Sequence, residues 1–549
     1  MSSTTLTVKQ KIFIASAIAK DWATANTYIG IGHVPDWDGT TDILIPRPNN
    51  STDVTNDVFN NLVSLQKIYA TDTCLVIPRV DWANNTTYGY YANNIDIFST
   101  TNLMPGIGNA TINLTVSSTS TQVIGNNTAF TTFFSTGSFI ETLNPNDNSI
   151  EIKEIIAIDN DTLLFVNSAY SATYTTNVYY RYENTFPNYS NNFYVRNTND
   201  QVFKCLYNGG DVASTIMPEI SLGGNLPSNP AILTSDGYYW KYMYTIPGGL
   251  KQKFFTPEWM PVTNDPLVVS SAVSGRIDYI EVINGGTGYN NSVASNVASI
   301  ITVSGNGTGA NVIAKVDNNG TITDLVIQQG GSGYTYATVT ANAGSTGVGA
   351  SFFPVISPEN GNGSNSYYEL GATNLMLCVE LSGNGSGTIP VGSMDAGLTT
   401  SGLYSPFGSV TPFTYHQISI IQNPILTANT IPASNSNYLA AVGIRTVTPS
   451  NQFLMNDTAY QGPAGNPTFS GTIVTWDNIN NIVYLNNIKG TYTPREPLLS
   501  STVTGGVITT GFIESQIQSG TGDIGYIENR PAITRYPGQT EQIKLVLEI

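Results

Sequence analysis

The chain has 549 residues, a formal net charge of −17 and only 11% charged side chains, a length that leaves room for roughly three to four domains with cores of their own. The acidic balance repels a phosphate backbone and no basic cluster offsets it, so nucleic-acid binding is excluded as the main task. No leader pattern and no run of about 18 apolar residues occurs, so neither export nor membrane insertion is expected.

The first predicted element is a helix over Val8–Ala25, where Ile12, Ala15, Ile18, Ala19 and Trp22 form one face. A short strand follows in Tyr28-Ile-Gly-Ile-Gly-His-Val-Pro-Asp-Trp37. A second helix is expected over Asn56–Tyr69, with Val58, Leu62, Leu65 and Ile68 or Tyr69 as its stripe and Asp53 or Asn56 as its cap. After residue 75 the pattern is short alternating strands rich in Val, Ile, Thr, Tyr and Phe, broken by Gly, Pro and Asn, as in an all-β chain. In Val76-Ile-Pro-Arg-Val-Asp-Trp82, Arg79 and Asp81 beside Trp82 are candidates for a buried or interfacial ion pair.

Residues 107–185 predict a small β-barrel closed over Phe130, Phe139, Ile155 and Leu163. Its Asn144–Asn148 stretch lacks the glycine and distal glutamate of a calcium loop and is expected to be a plain turn. Val202-Phe-Lys-Cys-Leu206 precedes an aromatic strand within Ser235–Pro247. That strand sets Tyr238, Trp240, Tyr242 and Tyr244 on one face against Tyr239, Lys241 and Met243 on the other. Such a face serves as intersheet core or subunit interface more readily than as a sugar platform.

The clearest repeat lies in 275–357, where Ile277–Tyr289 recurs 45 residues later as Ile322–Tyr334, both ending Gly-Gly-x-Gly-Tyr, and Gly307-Thr-Gly-Ala310 recurs as Gly347-Val-Gly-Ala350. Glycines at positive φ with a tyrosine covering the exposed backbone would explain the motif, and the block is expected to be an autonomous module. Residues 463–510 predict a small hairpin-based insertion. The last segment places turns at Arg530-Pro531 and Tyr536-Pro537-Gly538. It ends in a strand whose Ile543, Leu545, Leu547 and Ile549 alternate with Lys544, Val546 and Glu548. This strand is expected to close a core sheet that also holds Gln417–Ile421.

Catalytic patterns are few. With only His33 and His416, a zinc helix is absent and a Ser-His-Asp triad has little room. Gly520-Thr-Gly-Asp-Ile-Gly525 opens into Tyr526-Ile-Glu rather than a helix and is expected to be a turn. Asp236, Glu258, Asp278 and Glu281 are scattered carboxylates, and Asp236-Gly237 is more simply a tight turn. The expectation is a non-enzyme without metal or cofactor. Cys74, Cys205 and Cys378 are expected to be buried free thiols, as suits assembly in a reducing cytoplasm.

The stretches Tyr28–Trp37, Val76–Trp82, Val202–Leu206 with Ser235–Pro247, Tyr415–Pro424 and Tyr526–Ile549 resemble, in this order, segments of the baseplate wedge protein of T4-type contractile-tailed bacteriophages, the gene product 8 family. The resemblance lies within residues 9–105, 186–265, 363–462 and 511–549, and the intervening blocks do not share it. It implies a mainly β, multidomain, sandwich- or barrel-like core with two short N-terminal helices and inserted β-modules. The implied boundaries are a core of 1–106 with 186–268 and of 358–462 with 511–549, and inserts at 107–185, 269–357 and 463–510. It further implies a homodimer within each of six wedges, contacts with other wedge and arm proteins, location in the virion tail baseplate after assembly in the host cytoplasm, and a part in relaying host contact toward sheath contraction. Candidate core or interface residues are Arg79, Asp81, Trp82, Tyr238, Trp240, Tyr242 and Arg530. The rival expectation, from the Gly-Gly-x-Gly-Tyr repeats and the Asn, Thr and Tyr content, is a host-surface adhesin or tail-fibre-like protein.

Overall fold

The computed structural model describes residues 8–35, 37, 45–90, 95–96, 101–103, 113–128, 130–134, 139–146, 150–176, 179–182, 193–210, 212–221, 230–289, 301–334, 337–341, 347–358, 360–382, 389–390, 413–535 and 538–549. The protein is mainly β, with several sheets, small inserted β-modules and few helices. The chain divides into two compact units, one of residues 1–15, 75–375 and 548–549, the other of 16–74 and 376–547.

In the first unit, strands between Ile95 and Tyr182 form a nine-stranded sheet over Leu114, Val116, Val123, Phe130, Ile140, Ile155, Leu164 and Val166. Phe130 and Ile155 are buried as expected, but Leu164 takes the inward place assigned to Leu163, because the strand Leu163–Val166 buries its even-numbered residues. The turn begins as expected, with the Asn146 amide donating to Asn144 Oδ1, and residues 147–149 lie outside the described residues.

The four-stranded sheet of this unit runs in the order Tyr194–Arg196, Gln201–Asn208, Tyr238–Thr245, Ala231–Leu233. Both of its faces are covered, one by a core of Leu206, Met243, Tyr244, Met260 and Val355, the other by Phe203, Tyr238, Trp240 and Tyr242. The expected alternation fails at one residue. A bulge pairs Val202 with Tyr244 and Phe203 with Tyr242, and the extra residue turns Tyr244 onto the face opposite Tyr242.

The repeat exchanges its halves. Ile277–Thr287 pairs with Val348–Ile356 of the second copy, and Ile322–Ser332 pairs with Thr308–Val316 of the first. Tyr289 therefore covers Gly347 of the second copy and Tyr334 covers Gly307 of the first; a Cβ on either glycine would sit 2.3 Å from the ring. Gly286 and Gly331 hold φ of +62° and +66° within strand ends rather than in a hairpin turn. The block has its own core, including Ile280, Val312, Leu325 and Val339. Its first strand also packs outward, with Tyr279 stacked between Tyr207 at 4.7 Å and Tyr239 at 5.1 Å. The module thus keeps a core of its own while touching the aromatic sheet through Tyr279.

In the second unit a five-stranded antiparallel sheet runs in the order Asn437–Leu439, Leu62–Lys67, Thr27–Gly32, Phe413–Gln422, Asp523–Arg535. Here the second predicted helix is corrected. The helix is Thr52–Asn61, capped by Ser51 whose hydroxyl accepts from the Val54 amide, and Leu62–Lys67 is a strand. Leu62 and Leu65 fit a helical stripe, but pairing with a strand on each side satisfies their backbone and buries Leu62–Leu65 entirely.

A six-stranded sheet, in the order Thr458–Gln461, Phe469–Asp477, Ile482–Gly490, Val442–Thr446, Val507–Ile513, Pro497–Leu498, encloses Ile444, Phe453, Ile473, Val483, Leu485 and Leu498. Strands on both sides of 463–510 belong to it. The terminal strand Thr540–Glu548 buries Ile543 and Leu545 and leaves Leu547 half-buried. Its neighbour is Asn374–Ser382, while the place beside Phe413–Gln422 belongs to Asp523–Arg535. This corrects the expected partner of the terminal strand.

Candidate functional site

Arg79 and Asp81 form an ion pair in a larger chain. Asp81 Oδ2 accepts from Arg79 Nε at 2.9 Å, Asp81 Oδ1 lies 2.6 Å from Arg196 Nη1, and Arg196 continues to Asp200 Oδ1 at 2.6 Å. Lys251 closes the chain on Asp200 Oδ2 at 2.8 Å. All three cations gather around one ring, with the Arg79 and Arg196 guanidinium carbons 4.4 and 4.7 Å from the Phe255 centroid and Lys251 Nζ at 5.7 Å. Partial burial, which alone would raise the Asp81 carboxyl, is outweighed by hydrogen bonds from Arg79 and Arg196, so it sits below the usual range; Lys251 and Arg196 do the same for Asp200. The chain ties the ends of the strands Thr73–Pro78 and Tyr194–Arg196 to the helix Gly248–Phe254.

Trp82 is half-buried, donates from Nε1 to Ser214 Oγ at 3.0 Å, and packs against the core of Tyr238, Trp240 and Tyr242. Those three are fully buried, with Tyr88 edge-on to Tyr238 and Trp240. Their rings are core, and a sugar platform is ruled out by that burial. Arg530 lies in the other unit, half-buried, 3.6 Å from Glu528, and its carbonyl accepts from Trp37 Nε1 at 3.0 Å.

On the other face of the aromatic sheet lies a cluster that sequence reasoning missed. Lys204 and Lys241 stand directly opposite each other on paired strands, both buried. Lys204 Nζ donates to Glu369 Oε2 at 2.9 Å and to Asn362 Oδ1 at 2.8 Å, and Asn362 Nδ2 donates to Asp278 Oδ2 at 2.8 Å. Glu369 Oε1 accepts from the Gly363 amide at 2.8 Å and the Asn365 amide at 3.2 Å. Arg276 Nε is 3.4 Å from Asp278. Burial pulls the Lys241 amine down to about 8 despite Asp278 and Glu369, and burial pushes the Asp278 carboxyl up against the pull of Lys241. The available signal was a lysine inside each of two otherwise apolar strand motifs, Val202–Leu206 and Tyr238–Tyr244.

The remaining candidates are structural in their surroundings. His33 is buried, its Nδ1 donating to the Thr414 carbonyl at 2.6 Å and its Nε2 lying 2.8 Å from Asn456 Oδ1; His416, also buried, is 5.9 Å away ring to ring. Asp236 accepts from the Thr215 and Ile216 amides at 2.7 and 2.9 Å and from Ser214 Oγ, which organises the turn before the aromatic strand. Gly520 and Gly522 take φ of +76° and +92° in a turn that leads into the strand Asp523–Arg535. Cys205 and Cys378 are buried free thiols, and Cys74 is half-buried. Among the described residues no group of three or more His, Cys, Asp and Glu is arranged to hold a metal ion. No protein-family model and no curated protein matches the chain.

Proposed function

We propose that the chain is a non-enzymatic structural subunit of a bacteriophage tail baseplate wedge, linking neighbouring baseplate proteins and passing host-contact rearrangement toward sheath contraction. One observation carries this reading. The stretches that resemble the wedge family are far apart in sequence yet fall on neighbouring strands: Thr27–Gly32, Phe413–Gln422 and Asp523–Arg535 in one sheet, Gln201–Asn208 and Tyr238–Thr245 in another. The blocks 107–185 and 269–357, without the resemblance, have cores of their own around Leu164 and Leu325, whereas 463–510 shares its core with Val442, Ile444, Phe453 and Ala459. A framework that carries added modules accounts for this distribution. The Arg79–Asp81–Arg196–Asp200–Lys251 chain suits a part that moves as a rigid body, since it ties segments of two strands and a helix together.

The test is to produce particles of the virus that encodes this chain without it. A wedge subunit predicts tails with incomplete baseplates or none. Complete contractile tails that fail only in adsorption would overturn the reading in favour of an adhesin.

A further inference from the structure

We propose that Lys204 and Asn362 join in an intramolecular isopeptide bond, with Glu369 as the catalytic residue. Three side chains of the required types meet in a closed, buried setting. Lys204 is fully buried, Asn362 is 2% exposed and Glu369 is 6% exposed, against the core of Leu206, Met243, Tyr244 and Leu370. Lys204 Nζ bonds Asn362 Oδ1 at 2.8 Å, which, with a carbonyl bond of about 1.2 Å, puts the amide carbon within about 4 Å of the amine. Glu369 Oε2, at 2.9 Å from the same nitrogen, is placed to take its proton, and the Gly363 and Asn365 amides fix the carboxylate. The orientation of the Asn362 amide is determined: reversing it would set its NH2 against the Lys204 ammonium and its oxygen against the Asp278 carboxyl.

The chemistry balances without an outside reactant. Glu369 takes one proton from the Lys204 ammonium, and the freed lone pair adds to Cγ of Asn362. Glu369 then gives its proton to Nδ2 and takes the second proton from Nζ as the Cγ–Nδ2 bond breaks. Ammonia leaves and removes the last proton from Glu369 as ammonium, and an Nζ–Cγ amide remains. Asp278, hydrogen-bonded to Nδ2, holds the leaving group in place. Burial favours the neutral amide over a buried ammonium. The bond would join the strand Gln201–Asn208 to the segment that follows the repeat module, closing a loop between positions separated by 158 residues. A tail protein under mechanical load gains from such a closure, because the repeat module could no longer be pulled from the aromatic sheet at that point.

The deciding experiment is intact-mass and peptide mass spectrometry of the purified full chain. The expected result is a mass one ammonia below that of the sequence, and a branched tryptic peptide joining Lys204 to Asn362 with no cleavage after Lys204. Glu369→Gln and Lys204→Met should each restore the full mass. Asn362 precedes Gly363, so a succinimide would also lose ammonia; it would appear on a linear peptide and take up water in mild base. A wild-type chain of full mass after prolonged incubation overturns the proposal, as does a loss of ammonia confined to a linear peptide or a branch at Lys241 instead.

Discussion

At Lys241 burial moves the amine down to about 8, whereas in the unfolded chain a lysine titrates near about 10.4. Between those values the unfolded chain binds more protons than the folded one, so stability rises with pH across that window. Tyr242, pushed up to about 12 by burial, acts in the opposite sense, keeping its proton when the unfolded tyrosine loses one above about 10. Burial also raises the Cys205 thiol, which opposes the rise from about pH 8.5 upward, so the urea midpoint of the wild type should gain on that of Lys241→Met between pH 8 and pH 10. A difference between the two chains that stays constant over that interval would show that Lys241 is solvated. A second residue-scale prediction concerns the exchanged tyrosines. Tyr289→Ala and Tyr334→Ala each uncover a glycine strand of the other copy and should cost about 3–5 kcal/mol by chemical denaturation. Near-equal losses are expected; a large loss at one position alone would mean that the two copies do not share one packing scheme.

At the scale of elements, the terminal strand depends on its charge pair as much as on its apolar residues. Arg535, fully buried, has Nε 2.7 Å from Glu541 Oε1 and donates from Nη2 to the Leu381 carbonyl at 3.3 Å, and Tyr415 lies 3.4 Å from the same Glu541 oxygen. Removing the carboxylate in Glu541→Ala leaves the guanidinium buried and should destabilise by about 3–5 kcal/mol. Ile543→Ala or Leu545→Ala should cost about 2–5 kcal/mol, and Leu547→Ala less, since Leu547 is only half-buried. A Glu541→Ala chain with an unchanged unfolding midpoint would contradict this account of the strand. The alternation of Ile543, Leu545 and Leu547 was readable from sequence because it is local. The neighbour was not, because Asn374–Ser382 and Phe413–Gln422 are both buried strands and only three-dimensional pairing chooses between them. For the same reason Leu62–Lys67 read as helix, its strand partners lying at 27–32 and 437–439. The Gly-Gly-x-Gly-Tyr motif was legible in its chemistry, but the swap of halves and the Tyr279 stack were not. Lys204 and Lys241 were visible only as oddities, since Asp278, Asn362 and Glu369 come from distant segments.

At the scale of the whole molecule, the low share of charged residues and the several β-sheets suit lasting assembly with other proteins. The isolated chain should be a dimer in light scattering, unaffected by a chelator; a monomer at micromolar concentration would remove the isologous pair from the proposal. The position of the chain in the particle bears on the central claim most directly. A density map of the intact tail should fit this fold in the baseplate plane, in copies related by the six-fold axis and touching neighbouring wedge proteins. Density for the fold at fibre tips, or its absence from the baseplate, would contradict the account.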